Sequence, residues 1–189
     1  MDGDYLSDLA DLVLRSLHVV AGIAWIGASF YFIRLDLGLR PPEEPKDGVA
    51  GEYWGVHGGG FYHSQKYRVA PPRLPEHLHW FKWEAYTTWL SGFALLVVLY
   101  WLDARTRLVD PAVADLAPWQ AVALSAAGLA LAWLAYDAAC RVLRDDRLVA
   151  AAVVVLVVLA SFAAGELLAA RAAFLQVGAM LGTIMAANV

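Results

Sequence analysis

Charged side chains are scarce in this sequence, at 17% of its 189 residues, where a soluble domain carries about a quarter. Cysteine is scarcer still. Cys140 stands alone, so no internal disulfide can form, and without a C-x-x-C-H run the chain attaches no c-type haem. There is no block of Lys and Arg and the net charge is -4, which argues against a nucleic-acid partner. The start, Met1-Asp2-Gly3-Asp4-Tyr5, lacks the basic n-region of a cleavable signal peptide, so the first apolar segment is expected to stay as an anchor. A G-x-S-x-G turn is also absent. The run His57-Gly58-Gly59-Gly60 resembles the oxyanion loop of lipases, but with no nucleophile to serve, esterase chemistry is excluded.

What remains is apolar. Hydrophobic residues make up 60% of the chain and the mean hydropathy is +0.54. A spanning helix needs roughly 20 apolar residues to cross a hydrocarbon core about 30 Å thick. Leu9–Ile33, Trp83–Leu102, Trp119–Cys140 and Leu148–Ala164 meet that length, and Ala172–Val189 is a fifth, shorter candidate. Lipid offers no partner to an open backbone, and no alternating barrel pattern is seen. The expected fold is therefore all-α: one integral membrane bundle over 1–189, of about five helices, with a long polar loop over 34–82.

Helix-end residues agree with these limits. Pro118 suits a first helical position, Asp145 and Asp146 can cap the next helix, and tryptophans gather near helix ends as interfacial aromatics do. Seven Lys and Arg lie in 34–82 and three more at Arg141, Arg144 and Arg147, against Arg105, Arg107 and Arg171 on the other side. The positive-inside rule then puts the N-terminus outside and the large loop in the cytoplasm. Gly178, Gly182 and Ala186 repeat every four residues, a small-residue face suited to close helix packing.

Ionisable groups inside a membrane are costly, so each is a candidate for function. His18 is the sharpest. Gly22 and Trp25 share its helical face, and the glycine leaves room for a flat ligand. Neutral imidazole is a good haem ligand; a plain hydrogen bond to a neighbouring helix explains His18 equally well. Arg15 can snorkel or pair with an acid, Asp137 can pair with Arg141, and Glu166 with Arg171.

The loop supplies the rest. Gly58, Gly59 and Gly60 let the backbone turn sharply or approach a ligand, with Phe61 beside them. His57, His63, His77 and His79 match no known metal-ligand spacing. His79-Trp80-Phe81-Lys82-Trp83-Glu84 mixes stacking faces, a cation and a carboxylate, a set that suits a planar anionic heterocycle. An interfacial aromatic belt accounts for Trp80 and Trp83 without any ligand. The candidate catalytic residues are His57, His79, Lys82 and Glu84; the candidate ligand-binding residues are Gly58, Gly59, Gly60, Phe61, Trp80 and Trp83.

Three stretches resemble one family. LHVVAGIAWIG (Leu17–Gly27), WGVHGGGFYHSQKY (Trp54–Tyr67) and LHWFKWEAYTTWLSGF (Leu78–Phe93), with GAMLGTIMAANV at Gly178–Val189, look like the N-terminal membrane domain of the bacterial membrane-bound, cytochrome-c-fused urate oxidases. The resemblance implies oxidation of urate to 5-hydroxyisourate in the bacterial inner membrane, with electrons passed to a cytochrome c rather than to oxygen. It implies that the chain is the N-terminal part of a longer protein, with a c-type haem on the cytochrome portion. Gln176 stands where the resemblance leads one to expect histidine. A b-type haem held by His18, Gly22 and Trp25 is the cofactor expected on this chain. The partners expected are urate, a cytochrome c domain or protein and the lipid bilayer, with homo-oligomerisation left open. The rival readings are a purine-anion transporter and a membrane anchor or haem-binding electron-transfer subunit without its own catalysis. A transporter should show internal repeats and broken helices, and urate binding separates the enzyme from the electron-transfer subunit.

Overall fold

The computed structural model describes residues 3–188 apart from 45 and 72. Met1, Asp2 and Val189, which belong to the acidic start and to the end of the fifth apolar segment, lie outside the described residues. The chain is mostly helical and divides into two compact units, one formed by Met1–Gly22 with Lys82–Val189 and the other by Ile23–Phe81.

The first unit is a helical bundle. The opening part of α1 (Gly3–Gly38) belongs to it, followed by α2 (Trp83–Leu96), a π-helical turn over Val97–Trp101, the short α3 (Ala104–Arg107), α4 (Pro118–Val142), α5 (Asp146–Leu167) and α6 (Ala170–Ala186). Local chemistry sets several of these ends. Pro118 opens α4, where its missing N–H is not needed, and Gln120 Oε1 accepts the N–H of Ala117 at 2.9 Å. Asp145 caps α5, accepting from the N–H groups of Arg147 at 2.8 Å and Leu148 at 3.3 Å; Asp146 lies in the first turn.

Among the described residues, three helical segments are long and apolar enough to cross a bilayer: Asp8–Gly38, Pro118–Val142 and Asp146–Leu167. Their apolar side chains point largely outward, for example Ile23 at 68% exposure and Phe162 at 69%. A water-facing protein rarely shows apolar area on that scale, so these helices suit the chain to a membrane. The other two expected spans are shorter. α2 runs for 14 residues before the backbone shifts to the π turn, closed by the Leu102 N–H on Val97 O at 3.0 Å. α6 has 17 residues, about 26 Å at the helical rise.

α6 packs against α2, α4 and α5. The buried contacts there are small: Ala104, Ala121, Ala164, Ala172 and Ala173 join Leu108 and Leu168 in one cluster. Of the small-residue face expected at Gly178, Gly182 and Ala186, only Ala186 is buried; a Cβ at either glycine would meet nothing within 4 Å among the described residues. The other buried positions of α6 are Ala172, Ala173 and Gln176.

A polar clamp crosses this apolar interface. Gln176, 2% exposed, accepts from Ser125 Oγ at 2.6 Å and donates from Nε2 to Ser125 O at 2.9 Å. Trp101 Nε1 donates to the same hydroxyl at 3.0 Å. The extra residue of the π turn rotates the end of the helix, which is how Trp101 reaches α4. Trp89 Nε1 meets Thr183 Oγ1 at 2.9 Å, tying α2 to α6.

In the second unit the long polar segment is not irregular throughout. It contains an antiparallel hairpin of β1 (Val49–His57) and β2 (Gly60–Tyr67). The turn falls on Gly58 and Gly59, at φ 58° and 80°, the left-handed backbone that a two-residue hairpin loop requires. The later part of α1 belongs to this unit. A Cβ at Gly38 would come within 2.7 Å of the Tyr53 ring, so the helix end and β1 meet closely there and a larger residue would have to displace that ring. Lys66 Nζ donates to both carboxylate oxygens of Asp36 at 2.8 Å.

Candidate functional site

His18 lies on α1 in the first unit, facing α2. Its Nδ1 is 3.0 Å from Thr88 O and 3.2 Å from Ser91 Oγ. A carbonyl oxygen can only accept, so Nδ1 carries the proton and Nε2 keeps its lone pair. Gly92 lies under the ring: a Cβ there would come within 2.8 Å of His18 Cε1. The plain hydrogen-bonding role is thus real, and it fixes the tautomer that an imidazole needs to ligate a metal. An imidazole nitrogen with a free lone pair is the donor a haem iron would take from His18. Gly22 faces Thr88, where a Cβ would make an ordinary contact at 3.8 Å. Trp25, seven residues after His18, falls in the second unit, and its carbonyl accepts from Ser29 Oγ at 3.0 Å.

Two of the other expected ion pairs form. Arg15 meets Asp11 at 2.6 Å and Arg141 meets Asp137 at 2.7 Å, both four residues apart on exposed helix faces. No ion pair joins Glu166 to Arg171 among the described residues.

The candidate loop residues fall in both units. Lys82, Trp83 and Glu84 start α2 in the first: Lys82 occupies the N-cap position, its ammonium stands 5.6 Å from the Trp83 ring centroid, and Glu84 lies in the first turn. The remainder lie in the second unit. His57 closes β1 and pairs with Gly60, Gly58 and Gly59 form the turn, and Phe61 opposite Val56 is 78% exposed. Trp80 is 62% exposed. His79 stands edge-on to Phe81, which in turn meets Phe32 edge-on, at 4.6 and 4.9 Å between centroids. Among the described residues no three His, Cys, Asp or Glu groups gather closely enough to hold a metal ion.

The hairpin holds a pair that sequence reasoning missed. Its register sets Trp54 opposite His63 and Glu52 opposite Gln65, so these four side chains share one face. His63 Nε2 is 2.9 Å from Glu52 Oε2, and the N–H of Glu43 donates to Glu52 Oε1 at 3.0 Å. The Glu43 amide first, and His63 second, hold the Glu52 carboxyl below the usual range. Trp54 stacks on His63 at 4.2 Å and 9°. Glu52 is also fixed through its backbone, which exchanges two hydrogen bonds with Arg40 at 2.8 and 2.9 Å. Eleven residues separate Glu52 from His63, and only the strand register joins them.

Comparison with known proteins adds one finding. No curated protein and no solved structure gives a match. A family model described as "Urate oxidase N-terminal" matches residues 4–189, nearly the whole chain and all the segments just described. The chain belongs to the urate oxidase N-terminal family, which ties it to a urate-related function.

Proposed function

We propose that this chain forms the membrane part of a urate oxidase that converts urate to 5-hydroxyisourate and passes the electrons to a cytochrome c. The observation that carries the reading is the family match over 4–189; the apolar outward faces of α1, α4 and α5 supply the membrane setting. Urate and one water give 5-hydroxyisourate, two protons and two electrons, so the reaction needs proton acceptors and an electron acceptor. Cytochrome c is the electron acceptor, carried on the same polypeptide or supplied as a separate protein.

In this reading the protein sits in the bacterial inner membrane with its N-terminus outside and the hairpin in the cytoplasm, where Lys66, Arg68, Arg73 and Lys82 favour the approach of the urate anion. Within the second unit, His57 and His79 are candidate proton carriers, with Gly58, Gly59, Gly60, Phe61 and Trp80 as backbone donors and stacking faces; within the first, Lys82 can compensate an anion's charge, Glu84 can carry a proton and Trp83 can stack. A b-type haem held through His18 Nε2 would accept and release single electrons. His18 holds its proton on Nδ1 against Thr88 O, and Gly92 leaves room for its ring.

The test is an optical spectrum of the detergent-purified full gene product before and after anaerobic urate. A haem band that urate reduces, and that His18→Ala removes while the cytochrome band persists, is the expected result. A spectrum unresponsive to urate overturns the enzymatic reading.

A further inference from the structure

We propose that the hairpin face bearing Glu52, Trp54 and His63 binds a planar oxopurine anion, and that His63 Nδ1 takes a proton from it. The inference rests on the urate reading above and supplies a site and a base for it.

The argument begins at the carboxylate. Glu52 is 7% exposed, and its oxygens accept from the Glu43 N–H and from His63 Nε2. An ionised carboxylate can only accept, so the proton of neutral His63 resides on Nε2 and the lone pair on Nδ1. A histidine oriented by a carboxylate through one nitrogen and basic at the other is the arrangement that general-base catalysis uses. The stacked Trp54 indole fixes the plane of the ring, and 33% of the His63 side chain stays accessible. The exposed tip residue His57 has neither support among the described residues.

Glu52 and Trp54 also line a cavity of about 380 Å³, together with Arg34, Arg40, Glu43 and Tyr53 among others; His63 adjoins it through its contacts with those two residues. Aromatic faces and two guanidinium groups are the chemistry that holds a flat anion, because a guanidinium can donate two parallel hydrogen bonds to adjacent acceptors on a heterocycle edge. Arg34 stands 5.6 Å from the Tyr53 centroid. Glu52 is the charged group bonded to His63; Glu43 and Arg40 reach Glu52 through their backbones, Lys46 stands beyond Gln65, to which it donates at 3.3 Å, and Arg34 lies over Tyr53, whose side chain alternates to the other face of β1. A bound monoanion adds one negative charge to that set.

In the proton step an N–H bond of the bound monoanion breaks and its proton goes to His63 Nδ1. The products are the ligand dianion and an imidazolium held by the Glu52 carboxylate. No electron moves in this step; the electrons leave afterwards to the cytochrome c acceptor. His63 is the catalytic residue and Glu52 positions it.

The test uses the full-length protein in nanodiscs, with urate binding measured anaerobically by equilibrium dialysis and turnover measured as cytochrome c reduction. Arg40→Gln and Trp54→Ala should each raise the Kd about tenfold. His63→Gln, whose amide can still donate to Glu52, should leave Kd within about twofold and lower kcat about 100-fold. Glu52→Gln loses the carboxylate that orients His63, so kcat should fall about tenfold with Kd within about twofold; a purely structural carboxylate would not split the two. Arg40 is an exposed side chain outside the Glu52–His63 pair, so its variant remains informative should a pair variant unfold. If the wild type binds urate and Arg40→Gln, Trp54→Ala and His63→Gln leave both binding and turnover unchanged, the site is wrong and the urate reading stands. If the wild type neither binds urate nor is reduced by it, the urate reading itself fails and the site falls with it.

Discussion

Replacing Gln176 by leucine removes the polar clamp between α4 and α6 while nearly conserving side-chain volume. Two hydrogen bonds are lost, the 2.6 Å bond from Ser125 Oγ and the 2.9 Å bond to Ser125 O. Interhelical hydrogen bonds in membrane bundles average about 0.6 kcal/mol and reach about 1.7, so the pair is worth about 1 kcal/mol and no more than about 3. Ser125 softens the loss: its hydroxyl still accepts from Trp101 Nε1 and its proton can turn to the carbonyl one turn back. The lower figure is therefore expected. For a chain of this length, 1 kcal/mol lowers Tm by about 2–4 °C, readable by thermal unfolding of the purified protein in detergent. Gln176→Ala adds an unfilled space at a site 2% exposed and should cost about 2–4 kcal/mol. Because Ser125 and Gln176 act on each other, Ser125→Ala should cost about 1 kcal/mol alone and much less in the Gln176→Leu background. A Gln176→Leu protein as stable as the parent, or strictly additive single and double variants, would refute the clamp.

Other expectations rest on equally local features. Gly92→Ala places a methyl 2.8 Å from His18 Cε1, so the imidazole must shift and its bond to Thr88 O weakens. A loss of about 1–3 kcal/mol should appear in thermal unfolding, and an unchanged Tm would contradict the contact. The Glu52 carboxyl is held below its ordinary value in the folded hairpin. Its stabilising effect is therefore complete above the ordinary carboxylate value, near pH 4.5, and fades as pH falls toward the depressed folded value. Trp54 fluorescence in a variant retaining only that tryptophan should show acid loosening of the hairpin in this window, and Glu52→Gln should abolish that dependence. Asp145→Ala strips the cap from α5 and should cost about 1 kcal/mol, measurable by unfolding; Asp146→Ala serves as the comparison, since Asp146 accepts neither cap hydrogen bond.

The long apolar runs were legible because lipid-facing helices need little besides hydrophobicity, and because Pro118 and Asp145 mark their starts by simple hydrogen-bond accounting. Limits were less legible where the backbone departs from α geometry: the second segment continues past Leu96 only through a π turn, and no residue pattern announces one. The hairpin left a signal that composition obscured. Gly58-Gly59 stands between Tyr53-Trp54-Gly55-Val56-His57 and Gly60-Phe61-Tyr62-His63, a two-residue turn flanked by strand-favouring aromatics. The glycines suit a sharp turn as well as a ligand's approach, and neither use by itself announces the strands on either side. His18 was legible as a polar group in an apolar run, but its partner was not, because Thr88 contributes a backbone carbonyl rather than a side chain. The Glu52–His63 pair depends wholly on register, which a single sequence does not print.

The bundle's small buried side chains set a direction for its evolution. Of the thirteen buried apolar residues among those described, eight are alanine. Ala121 at 0% and Ala172 at 1% are sealed from solvent within the packed cluster, so an added carbon must displace neighbouring side chains, whereas loss of one methyl group removes little volume. Drift at these positions is therefore lopsided: serine and glycine are within reach, while valine or leucine would push two helices apart. Relatives can diverge freely on their lipid faces, where one hydrophobe replaces another, and stay almost silent along this inner seam. The slowest-changing positions of such a chain will thus include residues that touch no substrate at all.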